Sequence, residues 1–400
     1  MKFIEKVDKN KYQSFLNKCE YKNFLQSYEW GSFCEVGKGK KPYYFGVEND
    51  KGDLIASVMM IKTNLLFGYS YMYAPRGFIL DYSNKELIKF FSDELKNYFK
   101  KHKILYMVIN PAIMYQELDN NANIIENGKN NYDLYNYLLS IGYKHKGFNK
   151  NYESMEPRYT FVIPFENKSF DEVYNGFNKS MRQNIKRAED LGVEVVKGSI
   201  KDIDIFYNLI SKTGSRDDFH PYSKEYYENF YKIFNKEGKA EVFISYIYPK
   251  KILKGIELLK EQNKNKPKSL EKLQVMEAKY KDIKEDKIPV NAHIIVLDNG
   301  LATALYAGND TEYKDTYSNY LTYYTKIKYA YDNKCKEMDL FGVTGDPNTK
   351  YKNLAGIFEF KKQFGGNLIE YIGDFELIAN PFLKKIFTFL LKIYHFIRRG

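Results

Sequence analysis

The sequence predicts a mixed α/β (α+β) protein in which one ββαβ unit is used twice and an antiparallel helical hairpin is inserted in the second half. Three observations carry this. A set of elements runs from residue 43 to residue 111, the same order returns from 292 to 343, and a charged segment of helical period fills 250–287. In the first set, "YYFGVE" (43–48) and "LIASVMMI" (54–61) flank the turn "NDKGD" and read as a hairpin. "YSYMYAPRGFIL" continues as an extended segment, with Pro75 and Gly77 marking a turn. "NKELIKFFSDELKNYFKKHK" spaces Leu87, Phe90, Phe91, Leu95, Tyr98 and Phe99 as one face of a helix. "ILYMVINP" is a short apolar strand ended by Pro111. In the second set, "AHIIVL", the turn "DNG" and "LATALYAG" form a hairpin, "DTYSNYLTYYTKIKYAYDNKC" reads as a helix and "EMDLFGV" as a strand. Between the sets, "KKILKGIELLKEQ" and "SLEKLQVMEAKYKDIKED" have helical period and are split by "NKNKP", an αα-hairpin.

Composition narrows the class. Hydrophobic residues make up 44% and charged residues 28%, so a sizeable core can form and the chain is not disordered. The net charge is +11, part of it from an over-use of Lys, Asn, Tyr, Ile and Phe that an AT-rich genome produces. The remaining positive field favours anionic partners such as nucleic acid, phospholipid or pyrophosphate. Cys19, Cys34 and Cys335 are far apart and form no CxxC, and the histidines at 102, 145, 220, 293 and 395 show no ligand spacing, so no metal centre is expected. The N-terminal run "MKFIEKVDKNKYQSF" has no apolar h-region, and no window of about twenty apolar residues exists, so a cytoplasmic protein is expected.

Three segments invite two readings each. The 250–287 arm holds twelve lysines against seven acids, which suits a solvated coiled-coil arm or a platform for a polyanion such as tRNA. The basic helix 179–192, with Arg182, Lys186 and Arg187, is either a solvated face or a phosphate contact. In the C-terminal run "NPFLKKIFTFLLKIYHFIRRG", Lys384, Lys385, Thr388, Lys392, His395 and Arg399 share one stripe of an otherwise apolar helix. Such a helix either packs on the protein or lies in a membrane interface. "GIFEFKKQFGGNLIEYIG" (356–373) reads as two strand-like runs around Gly365 and Gly366, with Lys361 and Lys362 as a solvated edge on base rates alone.

Six runs in order, "FLQSYEWG", "YMYAPRGFILDYSNKEL", "NKSMRQNIKRAEDLGVEV", "GSRDDFHPYSKEYYENFY", "YAGNDTEYKDTYSNYL" and "GIFEFKKQFGGNLIEYIGDFEL", together resemble the FemABX family of aminoacyl-tRNA-dependent peptidoglycan bridge-forming transferases. The resemblance implies two GNAT-like domains: 1–155, then 156–249 with 288–376, the second interrupted by the arm 250–287 and followed by an amphipathic helix over 377–400. It implies transfer of a glycyl, alanyl or seryl group from aminoacyl-tRNA to an amine of a lipid-linked or UDP-linked muropeptide. The donor is a co-substrate and no cofactor is implied. The protein would be cytoplasmic, peripheral at the inner face of the plasma membrane if 382–399 binds lipid.

The same resemblance assigns residues. It puts a functional lysine at Lys361, where a fixed ammonium would stabilise the tetrahedral oxyanion of the ester, and Phe360 beside it to shape the peptide channel. Arg216 matches an arginine that holds the acceptor's pyrophosphate, against an ordinary salt bridge with Asp217 or Asp218, and Tyr306 matches a substrate-contacting tyrosine. Two positions depart from the pattern. Cys34 stands near the place of a phosphate-directed lysine, leaving Lys38 or Lys40 as the substitute. Asn110–Pro111 stands where some relatives carry Asp-Pro, and an amide cannot accept a proton at neutral pH, so the base is another group such as the substrate or a water. Arg76 receives no role. The rival readings are a precursor- or tRNA-binding paralogue without activity, a tRNA-binding module built on the arm, and a coenzyme-A-dependent N-acetyltransferase. The last lacks its R/Q-x-x-G-x-G/A loop here.

Overall fold

The structure, a computed structural model, describes residues 1–19 and 22–399, and of 391–399 the backbone. The chain forms two compact units. The first comprises Met1–Thr160, Gly342–Thr349 and the chain from Leu368 on; the second comprises Phe161–Phe341 and Lys350–Asn367.

The sheet of the first unit runs in the order Lys2–Ile4, Pro42–Glu48, Leu54–Asn64, Ser70–Ala74, Ile104–Ile109, Phe375–Ile378, Tyr143–His145, with Ile79–Leu80 paired to Leu54–Asn64. Only Ser70–Ala74 and Ile104–Ile109 pair in parallel. The helix Lys85–Lys101 makes that crossover, capped by Asn84, whose Oδ1 accepts from Leu87 N at 2.9 Å. Leu87, Phe91, Leu95 and Phe99 recur every fourth residue and are buried against Val58, Met60, Met72 and Met107. Burying each such side chain stabilises the unit by about 1.5–3 kcal/mol.

The second unit repeats the order. Glu194–Lys197, Ala240–Ile247, Ile288–Asp298 and Leu301–Asn309 are antiparallel neighbours, and Leu301–Asn309 pairs in parallel with Glu337–Val343 after the helix Ser318–Asp332. The pleat sorts its side chains into two faces. Phe243, Ser245, Asn291 and His293 meet the helix Ser318–Asp332, through Tyr329, Thr322, Ser318 and Lys326 respectively. Tyr306 points the other way, onto Tyr226, Tyr227 and Phe230 of the helix Lys224–Lys236. The inserted arm is a pair of packed helices, Pro249–Gln262 and Pro267–Lys281, tied by Lys260–Glu277 at 2.6 Å.

The division of the chain differs from expectation. Residues 156–160, 342–349 and 368–376 fall in the first unit rather than the second. Phe375–Ile378 is an inner strand of the first sheet, bonded to Ile104–Ile109 on one side and Tyr143–His145 on the other. It also takes residues 377–378 out of the expected C-terminal helix, which spans Pro381–Arg399. The run "GIFEFKKQ", read as a strand, lies in the helix Lys352–Lys362. Leu354, Phe358 and Lys361, spaced by four and then three, turn inward on it, and that helical period outweighs the aromatic alternation. Gly365 that follows has φ +67, and a Cβ there would overlap the carbonyl oxygen of Gly176, so both reasons for a glycine apply.

In the C-terminal helix Phe387 packs on Tyr69 at 5.1 Å, and Lys384 ion-pairs with Glu376 over the Tyr106 ring. Phe382 and Phe389 of the same helix remain 72% and 64% exposed, and Phe67, whose ring meets Phe387, is 75% exposed. Self-packing and an open apolar surface therefore coexist. The side chains of Lys392, His395 and Arg399 lie outside the described residues. Among the described residues no helix is long and apolar enough to cross a membrane.

Candidate active site

Lys361 sits in the last turn of the helix Lys352–Lys362, buried, with its Nζ donating to the Phe341 carbonyl at 2.9 Å. Burial pushes its pKa down to about 8, and Asp339 works against that shift. The adjoining Phe360 is half-buried in an aromatic cluster, 5.4 Å from Tyr320, 5.1 Å from Tyr323 and 5.5 Å from Phe364 between ring centroids.

Behind this cluster lies a second buried lysine that the sequence does not announce. Lys326 Nζ stands 3.3 Å above the centre of the Tyr323 ring and 3.1 Å from His293 Nδ1. His293 Nε2 in turn is 3.2 Å from Asn309 Oδ1. An amide oxygen accepts, so Nε2 carries the imidazole proton and Nδ1 accepts from Lys326. Lys326 makes no ion pair among the described residues. Burial, and then the charge of Lys361, hold it well below the usual lysine range. Burial and Lys326 hold His293 well below the usual histidine range.

Asn309 also leads to Arg216. Its carbonyl accepts from Arg216 Nη1 at 3.5 Å and from Thr213 Oγ1 at 3.2 Å. A continuous chain of contacts thus runs from Lys361 and Phe360 through Tyr323, His293 and Asn309 to Arg216. The planar fork of Arg216 is occupied: Nε and Nη2 donate to the two carboxylate oxygens of Asp217 at 2.8 and 2.7 Å. The ordinary salt bridge weighed for this arginine is therefore present. Tyr306 stands apart from Lys361 and Phe360 on the other face of the sheet, its hydroxyl 2.9 Å from that of Tyr226. Burial raises its phenol well above the usual range.

Lys38 belongs to the first unit, in the last turn of the helix Tyr28–Lys38, with Nζ 4.4 Å from the centre of the Trp30 ring. Burial lowers its proton affinity, while Cys34 and Glu156 raise it. Lys40 is exposed. Burial pushes the Cys34 thiol up to about 11, which makes it a poor nucleophile. Asn110 is buried, its Oδ1 accepting from Arg76 N at 2.7 Å and its Nδ2 donating to Tyr73 Oη at 3.0 Å. Arg76, given no role from sequence, is buried and stacks on Tyr371, its carbon centre 4.0 Å from that ring's centre.

The arm contributes a cavity of about 720 Å³ in the second unit, bounded by Arg187, Lys268, Lys272, Lys279, Met276 and Tyr317. Lys279 is already paired with Asp315 at 3.1 Å.

A model of the FemAB family matches residues 7–282 and 257–392. The chain belongs to the FemAB family. Its FemAB relatives include the aminoacyltransferase FemA of Staphylococcus epidermidis, 28% identical over 98% of this chain and 100% of that protein. The aminoacyltransferase FemA of Staphylococcus aureus (strain MRSA252) is 26% identical over 90% of this chain and 91% of that one. Among solved structures, FemX superposes with a TM-score of 0.77 at 24% identity, covering 96% of this chain and 99% of that one. A tandem GNAT protein from the clavulanic acid biosynthesis pathway gives 0.51 at 8% identity, covering 95% and 99%. The tandem GNAT-like fold of this FemAB member is thereby shown, and the transferase class expected from the sequence stands with the names of its FemA relatives.

Proposed function

We propose that this FemAB protein transfers an aminoacyl group of the glycine, alanine or serine type from aminoacyl-tRNA to an amine of the stem or bridge peptide of a lipid-linked or UDP-linked peptidoglycan precursor. The observation that carries the reading is Lys361, a buried lysine with a pKa of about 8 beside an aromatic wall. Attack of an amine on an ester places negative charge on the carbonyl oxygen. A cation held in a poorly hydrated site stabilises that charge far more than one in water. Phe360, with Tyr320 and Tyr323, supplies the wall along which a peptide lies. Arg216 grips a diphosphate by exchanging Asp217 for it, since both present paired oxygens to the same fork. Lys38 is the phosphate-directed lysine in preference to the exposed Lys40, and the Tyr306–Tyr226 hydroxyl pair contacts the precursor. The ester arrives activated, so the reaction needs no cofactor. Its donor is made in the cytoplasm, where the protein would act, next to the membrane when the precursor is lipid-linked.

A binder of the same precursor without transfer is the second reading, favoured by the uncharged Asn110. Mass spectrometry of muropeptides from the source strain lacking this gene separates the two. A bridge shortened or missing by a defined residue is expected; an unchanged muropeptide profile overturns the transferase reading.

A further inference from the structure

Three segments of the first unit reach water at the same end of its sheet. Ser70 and Ile104 begin neighbouring parallel strands, and Ser70 N donates to the Lys103 carbonyl at 3.1 Å. The loop 65–69 and the turn 101–103, which lead into those strands, therefore lie side by side. The strand Phe375–Ile378 runs antiparallel to Ile104–Ile109 and leaves the sheet at this end, where Ala379 N donates to the Leu105 carbonyl at 2.9 Å. The helix Pro381–Arg399 starts there. Leu66 and Phe67 on the loop and Phe382, Ile386 and Phe389 on the helix are all exposed. Exposed apolar side chains gathered in one place mark an interaction surface. Lys101, Lys103 and Lys385 are exposed with them and make no ion pair among the described residues.

Successive residues of an α-helix turn by about 100°, which divides this helix into faces. Phe387 and Lys384 face the protein: Phe387 is buried against Tyr69 and Phe67, and Lys384 pairs with Glu376. Phe382, Ile386 and Phe389, spaced by four and then three, form a separate stripe turned away from Phe387. The sequence continues that spacing with Ile393 and Phe396. Lys385 flanks the stripe, and the sequence repeats its position every seven residues at Lys392 and Arg399. A helix that only docked on the protein would need one apolar face, the moored one. We propose that this end of the first unit is a membrane-contact surface: the helix Pro381–Arg399 lies flat in the interface of an anionic bilayer with the Leu66–Phe67 loop tip inserted beside it. The proposal names where the protein meets lipid and does not rest on the transfer chemistry. Charge selects this occupant, because the helix carries lysines and arginines and no acidic residue, which suits anionic headgroups. From Phe382 to Phe396 the stripe runs about 21 Å along the axis, enough to lie along a flat surface. A basic flank beside an aromatic and aliphatic stripe is the pattern of helices that lie on a bilayer rather than cross it.

The test measures co-sedimentation of the full-length protein, without substrate, with vesicles of phosphatidylcholine that contain or lack phosphatidylglycerol. The wild type is expected to pellet with the anionic vesicles, far less with phosphatidylcholine alone, and to be released as salt rises from about 0.1 M to about 1 M. L66S/F67S on the loop is expected to bind at least about tenfold more weakly with an unchanged Tm, as is F382S/F389S on the helix. K101E/K103E/K385E alters only exposed charges, so it keeps the test decisive if an apolar variant fails to fold. It is expected to lose the preference for anionic vesicles. A wild type that stays in the supernatant with both vesicles overturns the proposal. So does a folded L66S/F67S, or the triple charge variant, that binds anionic vesicles as the wild type does. A wild type that ignores vesicles and self-associates, while L66S/F67S is monomeric, overturns it in favour of a second copy of the chain. Vesicle binding needs no turnover, so failure of the transferase reading leaves this result untouched, and failure here leaves that reading untouched.

Discussion

Lys361 owes its chemistry to what surrounds it. An exposed lysine remains charged to about pH 10.4 and shares its field with water. Burial strips Lys361 of part of that water, Asp339 restores some of the lost preference for charge, and the balance leaves it titrating at about 8. Lys326 nearby, against His293, is held well below the usual lysine range by burial and then by the charge of Lys361. The sign of the pH dependence follows. Below about pH 8 Lys361 is the cation that an oxyanion needs; above it the amine is neutral and the stabilisation is lost. In transfer assays the wild-type rate should fall as pH rises through 8, and K361M should lower kcat by about 10²–10³-fold at neutral pH. K361R, which stays charged, should lose the alkaline fall. An unchanged alkaline limb in K361R would assign that titration to another group. At this scale the sequence is partly readable. Lys361 is named by a motif, whereas Lys326 in "TKIKYAY" looks like a solvated helix residue. Only folding brings a strand histidine to Lys326.

Among the elements, strands and helices with many turns of regular pattern are legible, and short aromatic ones are not. Leu87, Phe91, Leu95 and Phe99 announce their helix. "FEFKKQF" offers alternation and helical period together, and burial of Phe358 and Lys361 decides for the helix. That outcome matters for the site, because a helix turns Phe360 and Lys361 about 100° apart rather than to opposite faces of a sheet. The C-terminal helix is the second such case. Phe387 anchors it, while Phe382, Phe389 and the neighbouring Phe67 remain largely in water beside Lys385. Exposed aromatics flanked by lysine suit an anionic bilayer surface. Each phenylalanine buried in lipid is worth about 1.5–3 kcal/mol, and about 1.4 kcal/mol is tenfold in affinity. F382S/F389S should therefore weaken co-sedimentation with anionic vesicles by at least about tenfold without changing Tm. Equal binding by the double variant would remove the membrane role from this helix.

Each unit carries one copy of the same plan: an antiparallel hairpin, a crossover helix and a strand returning in parallel. Local pattern makes that plan legible because each copy is contiguous in sequence. The division of the chain is harder to read, since Phe375–Ile378 finds its partners at Ile104–Ile109 and Tyr143–His145, and strand partners so distant in sequence leave no local mark. Within the second unit, the path from Lys361 through His293 and Asn309 to Arg216 joins the proposed oxyanion-holding cation to the proposed diphosphate clamp. The account stands or falls on whether this scaffold moves an acyl group. The direct measurement uses purified full-length protein, tRNA charged with a radiolabelled amino acid, and a lipid-linked muropeptide. The predicted result is label joined to the peptide by an amide bond; tRNA and precursor both bound, with the label remaining on the tRNA, would contradict it.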